Sequence, residues 1–258
     1  MESHMLKTCA AMVLMLLAAS AAHADLRYVG RLEVRSLPAA ETLAGMARMA
    51  AVMMLNQLPR GETITFINDT AARVEIREAG GVMARAGTVM LARDAAMLVL
   101  DAANRTYWTL PAPPPLLFTP GLEPDVRYTR TGEFANVAGV RAERVTFTMS
   151  AAVPFTMPPG FPTRVATDGE LWVTDEFKSY GAIMARTLGA LGTLPAGAPE
   201  GMVVRHITRS TQFGYEVEYT VADLRETPLA ADLFEIPDGF RKVPTPLTMP
   251  QIALPAAR

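Results

Sequence analysis

Apolar and polar residues alternate along most of this chain. Leu26, Tyr28, Leu32 and Val34 share one parity between residues 26 and 35, and most residues between them are charged. A period of two predicts a strand with one apolar face. Similar patterns predict further short strands at 62–68, 72–79, 82–86, 88–93, 96–101, 106–110, 127–132, 140–149, 165–174, 202–209 and 215–224. Since hairpin-length turns join most neighbours, these strands favour one antiparallel sheet.

Two segments follow a helical period instead. Residues 39–58 place leucine, methionine and alanine at steps of three and four, and Pro59 and Gly61 then stop the pattern. Residues 178–191 repeat this spacing before a Gly/Pro-rich stretch. One face of a sheet must be covered. The predicted fold is therefore mainly β (α+β), a curved antiparallel half-barrel with two helices covering its concave face.

Glycine marks two expected turns. Gly132 and Gly139 flank residues 133–138, which are expected to form a hairpin loop. Asp168-Gly169 has the composition of a turn and is expected to form one. Neither site has the spacing of a nucleotide-binding loop.

Proline marks the segments that cannot be central strands. Residues 110–124 hold six prolines and are expected to form a rim loop. Residues 244–258 are expected to form an extended or disordered tail. No internal repeat divides the rest. The predicted organisation is a leader at 1–24, a single domain at 25–243 and a Pro-rich tail at 244–258.

The leader is predicted to be a cleaved secretory signal. Lys7 precedes an apolar run of about ten residues, and Ala22-His23-Ala24 matches the cleavage pattern before Asp25. The run is shorter than the roughly 20 residues that span a bilayer. We therefore expect a periplasmic protein of a bacterium, without a permanent membrane anchor.

Composition narrows the chemistry. The formal net charge is -2 and basic residues do not cluster, which argues against nucleic-acid binding. The only cysteine, Cys9, lies in the leader, and His206 is the only histidine after it. His206 is expected at a solvated or half-buried strand position. With no thiol and no second histidine, we expect no metal, no cofactor and no enzymatic activity, although a hydrolase using two carboxylates stays a weaker alternative.

Three stretches carry a family resemblance: residues 131–145 with Gly132 and Gly139, residues 169–174 with Trp172, and residues 233–240 with Phe234. They resemble the exported domain-of-unknown-function 4412 family, which is similar to the periplasmic lipoprotein carriers and their outer-membrane receptors. The resemblance implies a half-barrel whose apolar concave face holds acyl chains. It supplies no catalytic residue.

Apolar side chains on the helices and strands are therefore the candidate ligand contacts. Methionine is abundant, with 16 in the chain, and its flexible thioether suits variable apolar ligands as well as ordinary cores. The leading hypothesis is a non-enzymatic carrier of a lipid or an acylated protein, and the alternative is an envelope interaction module with a filled core. The oligomeric state stays open. The predicted ligand-binding residues are Met46, Met53, Phe147, Trp172, Ile183 and Leu188.

Overall fold

The computed structural model describes residues 25–36, 61–78, 86–93, 96–110, 125–152, 163–190, 199–210 and 214–245. Strands dominate these ranges, with one α-helix, α1 (Lys178–Ala190), and one short 3-10 helix (Ala231–Phe234). The strands are β1 (Asp25–Ser36), β2 (Gly61–Ile67), β3 (Ala72–Ile76), β4 (Thr88–Arg93), β5 (Ala96–Asp101), β6 (Thr106–Leu110), β7 (Asp125–Val137), β8 (Val140–Ala152), β9 (Arg164–Thr174), β10 (Met202–Ser210), β11 (Tyr215–Thr227) and β12 (Arg241–Lys242).

All twelve strands belong to one open, curved sheet in the order β12-β6-β5-β4-β3-β2-β1-β11-β10-β9-β8-β7. Strands β2–β6 form one antiparallel meander and β7–β11 form another. Strand β1 joins them, because it pairs with β2 on one side and with β11 on the other. The short β12 pairs with β6 in parallel.

One face of this sheet carries the main core, and we call it the covered face. Along β1 the apolar parity points to this side, so Leu26, Tyr28 and Leu32 are buried. The same cluster takes in side chains from β1–β5 and β8–β11, together with Tyr180, Ile183 and Met184 of α1. The contacts of α1 are with β10, β2 and β3, so the helix bridges the two meanders over β1 and β11.

The opposite face, here the polar face, carries paired charges over β1 and β7–β11. One chain of ion pairs crosses five strands, and we call it the ion ladder: Glu216, Arg209, Glu170, Arg144 and Glu133 follow one another from β11 to β7. Beside it, Glu218 of β11 receives both Arg35 of β1 and Arg205 of β10.

A second, smaller core covers the polar face of the β2–β6 meander. After β11 the chain crosses behind this meander, and Phe234 packs with Ala71, Leu91 and Leu100. Backbone hydrogen bonds from Arg241 N to Arg105 O (3.0 Å) and from Val243 N to Tyr107 O (2.8 Å) fix the end of the segment to β6.

The predicted strands are confirmed where the structure describes them, and so is the second helix. The structure describes one α-helix within its ranges; the predicted helix at 39–58, the leader, most of the strand at 82–86, residues 111–124 and the tail beyond residue 245 lie outside them. The predicted loop between Gly132 and Gly139 is wrong. Residues 134–137 pair with β8, a bulge follows Arg130, and the turn is confined to residues 138 and 139.

Candidate functional site

The covered face on the β7–β11 side is built around an aromatic side chain that lies over a glycine. Phe147 of β8 is paired with Gly169 of β9. A Cβ at Gly169 would lie 2.7 Å from Phe147 Cε1 and 2.0 Å from the carbonyl oxygen of Ile207. The glycine is therefore required by close packing in mid-strand. The expectation that Asp168-Gly169 forms a turn is wrong for the same reason.

His206 lies beside this aromatic ring. Its ring centroid is 5.6 Å from that of Phe147, and its Nε2 lies 2.7 Å from Thr208 Oγ1. Its Cα partners across the sheet are Leu171 and Tyr219. Burial lowers the pKa of His206 to about 4, because the apolar surroundings disfavour the charged imidazolium. The expectation of a solvated or half-buried position is therefore wrong, and this histidine is neutral at pH 7.

Two buried tyrosines form a neutral polar pair on the same face. Tyr28 of β1 bonds to Tyr219 of β11 and to Thr65 of β2 through their side chains. Burial raises the pKa of both phenols, so both stay protonated. Gly30 leaves the room that this pair needs, since a Cβ there would lie 2.9 Å from the Tyr219 hydroxyl.

The structure brings together two of the predicted ligand contacts. Phe147 and Ile183 belong to the same buried cluster. Trp172 is partly buried against it, but its Cα partners are Arg144 and Arg205, and strand alternation puts it on the other side of β9 from Leu171. Leu188 lies on α1, in a part whose side chains are outside the described residues, as are Met46 and Met53.

Sequence reasoning missed a row of residues at the end of the covered face where β9 begins. Met149 of β8 is paired with Thr167 of β9. Arg209 pairs with Asp168, which places Ser210 of β10 beside Thr167, and Ser210 pairs with Tyr215 of β11. We call Met149, Thr167, Ser210 and Tyr215 the end row. The signal that could have revealed Thr167 was the period of two that it shares with Gly169, Leu171 and Val173.

Few charges reach the covered face of the described strands. Strand parity puts Arg130 and Glu143 there, and they pair with each other. It also puts Asp101 there, at the end of β5, where its carboxylate accepts a hydrogen bond from Asn104 Nδ2 at 2.7 Å. Glu226 of β11 lies on this face as the Cα partner of the buried Leu26, and Arg141 shares the parity of Glu143. The Met149–Thr167 pair is flanked on its own face by no charged Cα partner, because its neighbours along β7 and β8 on that face are Val126 and Phe147.

A shallow open depression of about 340 Å³ lies at the same end of β7–β9. Most of its lining comes from positions of polar-face parity, including Asp125, Arg127 and Asp168. Arg127 pairs with Asp125 at 3.3 Å. No group of three or more metal-ligating side chains occurs among the described residues, and no helix within those ranges is long and apolar enough to cross a membrane.

No family model matches the chain, so the resemblance to the domain-of-unknown-function 4412 family stays a prediction. No curated protein matches it either.

Solved structures of a similar kind exist at low identity. An uncharacterised conserved protein from Thermus thermophilus has a TM-score of 0.41 and 10% identity, over 91% of this chain and 99% of that one. The Mycobacterium tuberculosis lipoprotein LppX has a TM-score of 0.35 and 11% identity, over 86% and 97%. A DUF1329 family protein from Desulfovibrio piger has a TM-score of 0.33 and 12% identity, over 86% and 93%. Likeness at these scores carries no argument about function.

Proposed function

We propose that this protein is a non-enzymatic periplasmic carrier that holds the acyl chain of a lipid or an acylated protein on its covered face. The observation that supports it is the extent of that apolar face, which runs over nine strands. Neighbouring strands lie about 4.8 Å apart, so nine strands span roughly 38 Å. The 13 residues of α1 are only about 20 Å long, so the apolar face is wider than this helix is long.

The composition of this face also suits a variable cargo. Met90, Met97, Met184 and Met202 lie in its cluster, and Met149 packs against it. An unbranched thioether side chain changes shape at low cost, so such a surface accepts chains of different length and branching. The mechanism is non-covalent burial of the chain, with release by displacement of the covering helix.

Burial supplies enough free energy for this task. Each buried methylene contributes about 0.8 kcal/mol, so a 16-carbon chain offers roughly 10 kcal/mol before the costs of association. A carrier must also release its cargo, and those association costs bring the net affinity into a reversible range.

Native mass spectrometry with lipid extraction tests the proposal. The protein is exported to the periplasm and purified without detergent. We expect a reproducible adduct of lipid mass, because an acyl chain buried on an apolar face should stay bound during purification without detergent. A bare polypeptide mass in repeated preparations would contradict the carrier.

A matched pair of variants tests the location. Met149→Glu places a charge on the covered face, whereas Thr148→Glu places the same charge on the neighbouring, exposed position of the same strand. We expect Met149→Glu to lower the retained lipid at least tenfold, because an unpaired carboxylate does not enter an apolar site without a large desolvation cost. Thr148→Glu should retain lipid as the parent does. Equal retention by both folded variants would place the cargo elsewhere.

The free edge of β7 favours a second candidate, an envelope interaction module with a filled core. In the described ranges this 13-residue strand pairs on one side only, with β8. It presents Phe134 half-exposed, with the Arg141 guanidinium 3.8 Å from the ring centroid. An edge strand offers unpaired backbone groups to a partner. A bare mass in the lipid experiment, together with a partner cross-linked through β7, would favour this module over the carrier.

A further inference from the structure

One buried hydroxyl on the covered face has no hydrogen-bond partner among the described residues. Thr167 is only 6% exposed, and its Oγ1 is a buried atom without a hydrogen-bond partner in the part of the chain that the structure describes. Such a group is uncommon, because leaving a buried hydroxyl unpaired costs free energy. Two other buried hydroxyls of the sheet differ: Thr65 bonds to Tyr28, and Ser210, also in the end row, donates to Ala166 O at 3.4 Å.

The surroundings of this hydroxyl match an amphiphile. Thr167 shares its face of β9 with Gly169 and Leu171, which lead to Phe147 and the main cluster. Its Cα partner on β8 is Met149, the partly buried methionine at the same end of the face. A chain lying along Phe147 and Leu171 would therefore end beside Thr167 Oγ1.

Charge restricts what the group at this end can be. The nearest charged residues in register, Asp168 and Arg209, lie on the polar face, and the other members of the end row are uncharged. Burial raises the pKa of Tyr215, so its phenol is neutral as well. Thr167 and Met149 also border the depression lined by Asp125, Arg127 and Asp168, but those three charged residues lie at positions of polar-face parity. On the covered face of the described strands, a carboxylate or phosphate brought here would lose its hydration with only neutral hydroxyls in return.

We propose that Thr167 anchors the cargo by a hydrogen bond to an uncharged oxygen of it, an ester carbonyl or a hydroxyl, at the end of its acyl chain. This inference rests on the proposed carrier function and names the chemical class of the cargo's polar end. It makes Thr167 a ligand-binding residue, with Met149 as its apolar neighbour.

The experiment uses three probes on the full mature chain. Diphenylhexatriene, which has no hydrogen-bonding group, reports the apolar face by its fluorescence. Monomyristoylglycerol and myristate, added at pH 8 as competitors with the same acyl chain, differ in carrying a neutral ester or a carboxylate. The variants are Thr167→Val, which removes the hydroxyl at nearly constant volume, Thr167→Ser, which keeps it, and Thr148→Val as a control on the polar face.

We expect diphenylhexatriene to bind all variants equally. Monomyristoylglycerol should displace it about tenfold less well from Thr167→Val than from the parent, the loss of one hydrogen bond worth about 1.4 kcal/mol. Thr167→Ser and Thr148→Val should behave like the parent. Myristate should compete more weakly than the ester and be indifferent to the substitution.

Stability of the empty protein is the second measurement. Removing an unpaired buried hydroxyl should raise the Tm of lipid-free Thr167→Val, by about 2–4 °C. A lower Tm would reveal a structural partner for this hydroxyl and overturn the anchor.

The outcomes separate the two proposals. If diphenylhexatriene fails to bind the parent, the carrier function is wrong. If it binds, but monomyristoylglycerol displaces it equally from the parent and Thr167→Val, the carrier stands and the anchor is wrong. Tighter competition by myristate than by the ester would overturn the uncharged class.

Discussion

His206 shows how a single buried group makes stability depend on pH. The neutral imidazole packs against Phe147 and approaches Thr208, and the residues directly across the sheet from it, Leu171 and Tyr219, carry no charge at pH 7. Its pKa is lowered to about 4, against 6.5 for an unburied histidine. Above pH 6.5 the group is neutral in both the folded and the unfolded chain, so its contribution to stability is fully present there. As pH falls from 6.5 towards 4, the unfolded chain binds a proton at this histidine that the native state does not bind, so the free energy of unfolding decreases.

His206→Gln removes this titration while keeping a polar group near Thr208. We expect the parent to lose about 2–3 kcal/mol more than the variant between pH 7.5 and pH 4.5, since each pKa unit corresponds to about 1.4 kcal/mol. Urea unfolding of both proteins at the two pH values gives the comparison. Carboxylates titrate equally in the two proteins, so they cancel. Parallel losses in parent and variant would show that His206 is protonated in the native state.

Single residues also show which features of the sheet could not be predicted from the sequence. The prediction that Phe147 lies on the apolar face is confirmed, whereas Trp172, predicted beside it, lies on the other side of β9 from Leu171. Alternation does not distinguish a glycine of a turn from one required by a ring above it, and Asp168-Gly169 has the composition of both. Thr167 was overlooked, and His206 was expected at a solvated or half-buried position, for a related reason. A polar residue in a strand is usually assigned to the solvent-facing side, and only its cross-strand neighbours reveal that it is buried.

Over β1 and β7–β11, the polar face is linked from strand to strand by ion pairs with buried carboxylates. The side chain of Glu218 is 5% exposed, and it accepts a hydrogen bond from Arg205 Nε at 2.6 Å while also pairing with Arg35. It therefore links β1, β11 and β10 at the junction of the two meanders. By contrast, Arg31 and Glu62 form a solvated pair between β1 and β2 at 3.2 Å.

Glu218→Gln and Glu62→Gln compare these two situations. We expect Glu218→Gln to lower the free energy of unfolding by about 1–2 kcal/mol, because two arginines lose the charge that compensates them in a partly desolvated place. Glu62→Gln should cost less than about 0.5 kcal/mol, as exposed ion pairs do. Guanidinium chloride would screen both pairs, so urea unfolding at low salt is the measurement. Equal losses of unfolding free energy in the two variants would mean that the burial of Glu218 does not strengthen its ion pairs.

Local signals explain why most hairpins could be predicted. Between β2 and β3, Asn68 Oδ1 accepts hydrogen bonds from Thr70 N at 2.9 Å and Ala71 N at 2.7 Å, so the turn is encoded in consecutive residues. The pairing of β1 with β11 has no such signal. The apolar positions of β1 would suit any strand of matching parity, and the partner is decided by packing across the whole sheet.

Residues 229–243, here called the strap, cross the polar face of the β2–β6 meander and hold it from that side. Phe234 is buried in the second core, and Arg73 and Arg93 donate to the backbone carbonyls of Leu233 (3.2 Å) and Phe234 (3.5 Å). The Phe234 region could be singled out by its family resemblance, whereas β12 could not be predicted from the sequence. Its two residues, Arg241 and Lys242, follow no hydrophobic pattern, are exposed, and are held by backbone pairing with β6.

Phe234→Ala tests the strap. We expect a loss of about 3 kcal/mol in stability, typical of a buried aromatic truncated to alanine. Hydrogen exchange should show reduced protection of residues 229–243 and of β6, while β8–β10 keep theirs. Asp238→Ala, at an exposed position of the same segment, is the control. An equal loss of protection across the whole sheet would show that the strap and both meanders unfold as one unit.

The central place of β1 has a consequence for the order of assembly. Arg27 of β1 and Asp223 of β11 form an ion pair although 196 positions separate them. During synthesis, β1 therefore cannot complete its pairing until β11 has been made. Each meander can form from local hairpins as it emerges, but the two halves cannot join until β11 has been synthesised. Long-range closure of this kind is slow and leaves strand edges exposed meanwhile. The chain in which β11 has not yet paired with β1 is therefore the form most vulnerable to aggregation and proteolysis.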